Sequence, residues 1–142
     1  MWYIALIVLA ADQITKLWVI NSLPVYESRV LIPGVLSVTN VPNTGAFFGL
    51  LPQYNNAIAI ISMMIACGMV VFLWLNRKLP KRLNLALIFI VSGAVSNIAD
   101  RLWHNAVIDF INLQFMNFPI FNIADVIITL GAVMLVWHLI RS

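Results

Sequence analysis

The sequence predicts an all-α polytopic membrane protein: four transmembrane helices with a small β-rich element on the extracytoplasmic side. Three observations predict it. Hydrophobic residues make up 63% of the 142-residue chain and charged residues only 9%, whereas a soluble domain is about one quarter charged. Apolar runs recur four times, each close to the ~20 residues that cross a bilayer core. Half of the basic residues, four of eight, sit in one short break between two of those runs. The chain reads as a single membrane-embedded domain over residues 1–142, with a mean hydropathy of +0.99.

The first span covers about residues 1–20. Met1–Ala11 lacks the basic start and small-residue cleavage site of a signal peptide, and Asp12, Gln13 and Lys16 follow it, so it is expected to be retained. Asp12 and Lys16 are an i, i+4 pair, expected to neutralise each other with Lys16 reaching towards the outer interface. In the connection 21–56, Val30–Ile32 and Val35–Val41 read as short strands broken at Pro33-Gly34 and at Pro42. That segment is expected to form a small outer sheet and to lie over the substrate as a lid.

The second span, about 57–75, holds Cys67 among Ile, Met, Ala and Gly, where a buried inert thiol is expected. The break after it, Asn76–Arg82, contains Arg77, Lys78, Lys81 and Arg82 and no acid. The positive-inside rule therefore places this turn, and with it both termini, in the cytoplasm. The two remaining connections fall outside: 21–56 balances Arg29 against Glu27, and 104–119 has no Lys or Arg. The net charge of +3 is thus a topology signal, with membrane lipids as contacts and no nucleic-acid partner.

In the third span, about 83–103, Gly93, Asn97, Asp100 and His104 recur at the spacing of one helix face, which is expected to look into the bundle. Asp100 and Arg101 read either as an interior ion pair or as an arginine held ready for a substrate carbonyl. The fourth span, about 120–140, repeats the pattern with Asn122, Asp125 and Thr129, and starting it near Pro119 places Asp125 just below the outer boundary of the hydrocarbon. Asp109 approaches the same level from the preceding loop.

Only five residues of the chain are acidic, and ionisable groups in spans point to function. Asp109 alone reads as a solvated carboxylate or turn cap, and Asp125 alone as a first-turn residue favoured by the helix dipole. Together they form a pair able to share one proton and activate water. His104 and His138 are far apart and no HExxH or CxxC spacing occurs, so neither a metal nor a cofactor is expected. A small ion- or proton-coupled transporter is the competing class, although the spans show no inverted repeat. A non-catalytic scaffold leaves both polar stripes unexplained.

Five motifs in order carry a resemblance. Asp12-Gln13-Ile14-Thr15-Lys16, Asn43-Thr44-Gly45-Ala46-Phe47-Phe48-Gly49, Asn97-Ile98-Ala99-Asp100-Arg101, Val107-Ile108-Asp109-Phe110 and Pro119-Ile120-Phe121-Asn122-Ile123-Ala124-Asp125 resemble those of bacterial lipoprotein signal peptidases. The resemblance runs nearly end to end. It implies a monomeric aspartic endopeptidase of the bacterial cytoplasmic membrane that cuts diacylglyceryl-modified prolipoproteins before the lipidated cysteine. It makes Asp109 and Asp125 the catalytic dyad, places Asn43 and Gly45 at the border of the site, and gives Asn97 and Arg101 to substrate or support. Asn122 then orients the dyad, and Asp12, Lys16 and Asp100 are supporting residues. Ser92, Ser96 and Asn105 stand where the family usually has glycine, and Phe47 and Val126 replace smaller residues.

Overall fold

A computed structural model describes residues 2–45 and 52–141. The four helices are α1 (Trp2–Ser22), α2 (Asn55–Leu75), α3 (Lys81–His104) and α4 (Ile123–Arg141), and each is long and apolar enough to cross a membrane. Three strands, β1 (Ser28–Ile32), β2 (Leu36–Asn43) and β3 (Val107–Leu113), form an antiparallel sheet in the order β1-β2-β3. The expected fold class is the observed one.

The hub is α3, which packs against α1, α2 and α4. Ten of its residues are buried, against two on α4, so the other helices turn most of their apolar surface outward. Leu6, Ile7, Ile61, Met64, Val133 and Leu139 are all exposed, as lipid-facing side chains must be when bilayer tails replace a protein core. Cys67 is among these outward residues. The expectation of a buried thiol is corrected, because α2 packs mainly on α3 and Cys67 lies off that contact face.

Helices α3 and α4 approach closely at two glycines. A Cβ on Gly93 would stand 2.6 Å from the Ala124 carbonyl oxygen, and one on Gly131 would stand 2.7 Å from that of Ala86. Val91, Ile88 and Leu87 of α3 form a packed cluster with Leu73 of α2. At the other end of the bundle, Val38, Ile108 and Phe110 of the sheet close over Val19 of α1. The sheet is therefore seated on the bundle.

Three boundary expectations change. The third strand is new: β3 pairs with β2 from Val107↔Asn43 to Leu113↔Leu36, so Asp109 lies on a strand. Pro42 does not end β2. It pairs in register with Ile108, past the reach of β1, whose last partner on β2 is Thr39, an edge-like position that tolerates a missing N–H. Helix α4 starts at Ile123, later than position 120, because Phe121 is held extended by backbone bonds with Phe110 and Ile111. Asn105 caps α3 in the left-handed conformation at φ 56°, which asparagine tolerates better than most residues.

Candidate functional site

The polar residues of α1 and α3 meet first in a buried layer. The Lys16 ammonium lies 2.6 Å from Asp12 Oδ2 and 2.7 Å from Asp100 Oδ2, and it donates to Asn97 Oδ1 at 3.0 Å. These three partners use all three ammonium donors. Lys16 is only 1% exposed, which corrects the expectation that it reaches to the interface: two carboxylates hold it inside. Asp100 likewise takes Lys16 as its ion-pair partner instead of Arg101.

Asp12 and Asp100 also fasten neighbouring elements. Asp12 Oδ1 accepts the Ala124 N–H of α4, Asp12 Oδ2 accepts the Ser96 hydroxyl, and Asp100 Oδ2 accepts the Ile108 N–H of β3. Gln13 Nε2 completes the layer by donating to Asp100 Oδ1 and to the Ser96 hydroxyl. Ser96 is fully buried between them. The hydroxyl makes it a bridge between Asp12 and Gln13.

A second layer holds the remaining aspartates. Asn122 ends the extended segment pinned to β3, and its side-chain oxygen accepts the N–H of Asp125 at 2.9 Å while Asp125 Oδ2 accepts the N–H of Asn122 at 3.2 Å. This reciprocal pair is a capping box that starts α4 and fixes the Asp125 rotamer. Asn97 Nδ2 donates to Asp125 Oδ1 at 2.8 Å. Asp109 Oδ1 and Oδ2 accept from Asn122 Nδ2 and Asn43 Nδ2, each at 2.8 Å.

Asn122 thus touches both aspartates, and its Nδ2 also donates to Asn97 Oδ1 at 3.2 Å. The Asn97 oxygen is taken by Lys16 and Asn122, so its amide group can only face Asp125 with its nitrogen. The amide orientations are dictated by the network.

Asp109 and Asp125 border one cavity of about 250 Å³, together with Asn43, Gly45, Asn97, Arg101, Ile58, Ser62, Ala94, Val107, Ile128 and Thr129. Burial is the main reason the Asp109 carboxyl is pushed up to about 7; the Asn43 hydrogen bond opposes the shift and the neighbouring Asp125 charge adds to it. Arg101 Nη2 donates to the Gly45 carbonyl at 2.9 Å and Nη1 to the Asn97 carbonyl at 3.3 Å. Its buried Nε has no partner among the described residues.

The structure brings together Asp109, Asp125, Asn43, Gly45, Asn97, Arg101 and Asn122, with Asp12, Lys16 and Asp100 directly beneath. One expected stripe position differs. His104 is exposed at the end of α3, because the chain turns into β3 just after it. Thr129 lines the cavity, but its hydroxyl is occupied by the Asp125 carbonyl. Ile58, Ser62, Ala94 and Ile128 were not anticipated, since nothing distinguishes them within apolar runs until the helices are packed. Phe47, with 46–50 of its motif, lies outside the described residues, and Val126 is exposed.

Comparison with known proteins decides the family. The model of the family described as signal peptidase (SPase) II matches residues 4–141. This chain belongs to the signal peptidase II family. Among its relatives, the lipoprotein signal peptidase of Clostridium tetani is 37% identical over 134 residues, spanning 92% of this chain and 86% of that protein. The lipoprotein signal peptidase of Brevibacillus brevis is 38% identical over 133 residues, spanning 92% and 89%. A solved bacterial membrane enzyme superposes with a TM-score of 0.91 at 30% identity, covering 98% of this chain and 86% of the other. As a signal peptidase II, the chain is a membrane protease, and the transporter reading of its carboxylates is not favoured.

Proposed function

We propose that Asp109 and Asp125 are the catalytic carboxylates of an aspartic endopeptidase that removes the signal peptide of diacylglyceryl-modified prolipoproteins, cutting before the lipidated cysteine. The observation that carries this reading is the shared cavity: two carboxylates border it, and one residue, Asn122, bonds to both. The related lipoprotein signal peptidases support the substrate class. The apolar wall of Ile58, Ala94 and Ile128 suits a lipid-bearing, membrane-held peptide.

In the proposed reaction the dyad holds one proton. Asp109, pushed up to about 7, keeps it, while Asp125 accepts N–H donors at both carboxylate oxygens in the first turn of α4. Asp125 takes a proton from water as the water oxygen attacks the scissile carbonyl carbon, and Asp109 gives its proton to the carbonyl oxygen. The tetrahedral product then collapses: Asp125 returns its proton to the leaving nitrogen, the C–N bond breaks, and Asp109 recovers a proton from the diol. A carboxyl group and a free cysteine amine result. Arg101 lines this cavity and suits a substrate carbonyl.

The positive turn at 76–82 supports a topology with both termini cytoplasmic and the aspartates near the outer face. The assignment is tested by expressing Asp109→Asn and Asp125→Asn separately and following a lipid-modified precursor. Each variant is expected to insert normally and to lose cleavage by about 10³-fold or more. Normal processing by both variants would refute the dyad.

A further inference from the structure

At the end of the bundle away from the aspartates, the start of α3 and the end of α4 enclose a crevice of about 200 Å³ lined by Arg82, Val133, Met134, Trp137, His138 and Arg141. Arg82 precedes Asp100 by 18 positions on one helix, which separates them by roughly 27 Å at about 1.5 Å per residue. The crevice is therefore unconnected with the hydrolytic site.

Its lining divides into two chemistries. Arg82 and Arg141 carry permanent charge on two different helices, and none of the chain's five acidic residues lies in 76–99 or after Asp125. The Arg141 guanidinium sits 4.1 Å from the centroid of the Trp137 ring, a cation–π contact that fixes it at the crevice wall. Val133 and Met134, one turn deeper on α4, supply an apolar surface, and Val133 is 61% exposed. A water-soluble anion would use only the charges. A phospholipid uses both parts, since its phosphodiester sits at the level of interfacial Arg and Trp and its acyl chains descend along the span.

We propose that this crevice holds one anionic phospholipid, with its phosphodiester between Arg82 and Arg141 and an acyl chain along Val133 and Met134. The complementary charge and the apolar wall beneath it select an anionic lipid over a zwitterionic one. The site is independent of the catalytic assignment.

The test is native mass spectrometry of the full chain released from vesicles containing equal phosphatidylglycerol and phosphatidylcholine. The wild-type chain is expected to retain one phosphatidylglycerol in preference to phosphatidylcholine. The double variant Arg82→Gln/Arg141→Gln is expected to lose that retention roughly tenfold or more. Arg77→Gln, which removes an arginine stacked on Trp74 outside this crevice, is expected to leave it unchanged. Equal retention of the two lipids by the wild-type chain overturns the proposal without reference to any variant. So does an equal loss in Arg77→Gln, which would mean diffuse charge, or displacement by millimolar inorganic phosphate, which would mean a site for free anions.

Discussion

At Lys16 one ammonium neutralises two buried carboxylates and orients an amide, so its removal acts twice. Lys16→Met leaves Asp12 and Asp100 facing each other unpaired, and stripping one partner from a buried ion pair costs about 3–5 kcal/mol. Denaturant unfolding in detergent should show a loss of that size. Lys16→Arg, which keeps the charge, should recover much of it. Asp109 supplies a different prediction, in pH. Because its proton leaves near 7, cleavage should decline as pH rises through about 7. The Asn43 N–H favours the ionised form, so Asn43→Ala raises the pKa further and should move that decline to higher pH in a profile of kcat/KM. An unmoved alkaline limb would count against Asp109 as the proton holder. For stability the sign is the same: the folded state keeps a proton that the unfolded carboxyl, at 3.8, has already lost, so this group's contribution falls as pH rises from about 4 to about 7.

Elements are joined here by short-range geometry. The segment before α4 is an extended strand partner of β3, then a capping box, then a helix, within the three residues Phe121, Asn122 and Ile123. That sequence of constraints sets Asp125 against Asp109 more firmly than two independent loops could. The α3–α4 contact completes it. Gly93 and Gly131 both lie against backbone carbonyls, and an added methyl at either should cost about 1–3 kcal/mol through overpacking. Their effects on activity should differ. A side chain at Gly93 presses on Ala124, whose N–H is held by Asp12 and whose neighbour is Asp125, whereas Gly131 meets Ala86 and Ile90 two helical turns deeper. Gly93→Ala should therefore lower kcat much more than Gly131→Ala at similar losses of Tm. Equal kcat values would show that the α4 start does not depend on this contact.

Over the whole molecule, the charge distribution and the position of the sheet divide the bundle into two ends. The turn with Arg77, Lys78, Lys81 and Arg82 is at one; β1, β2 and β3 are at the other, seated on Val19. In a Cys67→Ala background, Lys78→Cys should react with a membrane-impermeant thiol reagent only from the cytoplasmic side, and Arg29→Cys only from the other. The reverse pattern would invert the proposed topology. The lid expected of the outer segment changes in character. β2 contributes Asn43 directly to the cavity, and β3 contributes Asp109, so this sheet is part of the site wall.

The sequence by itself determined the span count, the family resemblance and the residues to watch. Spans are legible because lipid demands a continuous apolar run, and the polar stripes of α3 and α4 are legible because helical spacing is periodic. Tertiary structure decided what those polar residues bond to. Lys16 could not be assigned to Asn97, nor Asn97 to Asp125, from positions 81 and 28 residues apart along the chain, because hydrogen bonds and ion pairs are set by distance in space. The same limit hid β3. Its run Val107–Leu113 becomes a strand only beside β2, since an isolated strand has no partner for its backbone groups, and that pairing brought Asp109 from an apparent loop into the buried wall of the cavity.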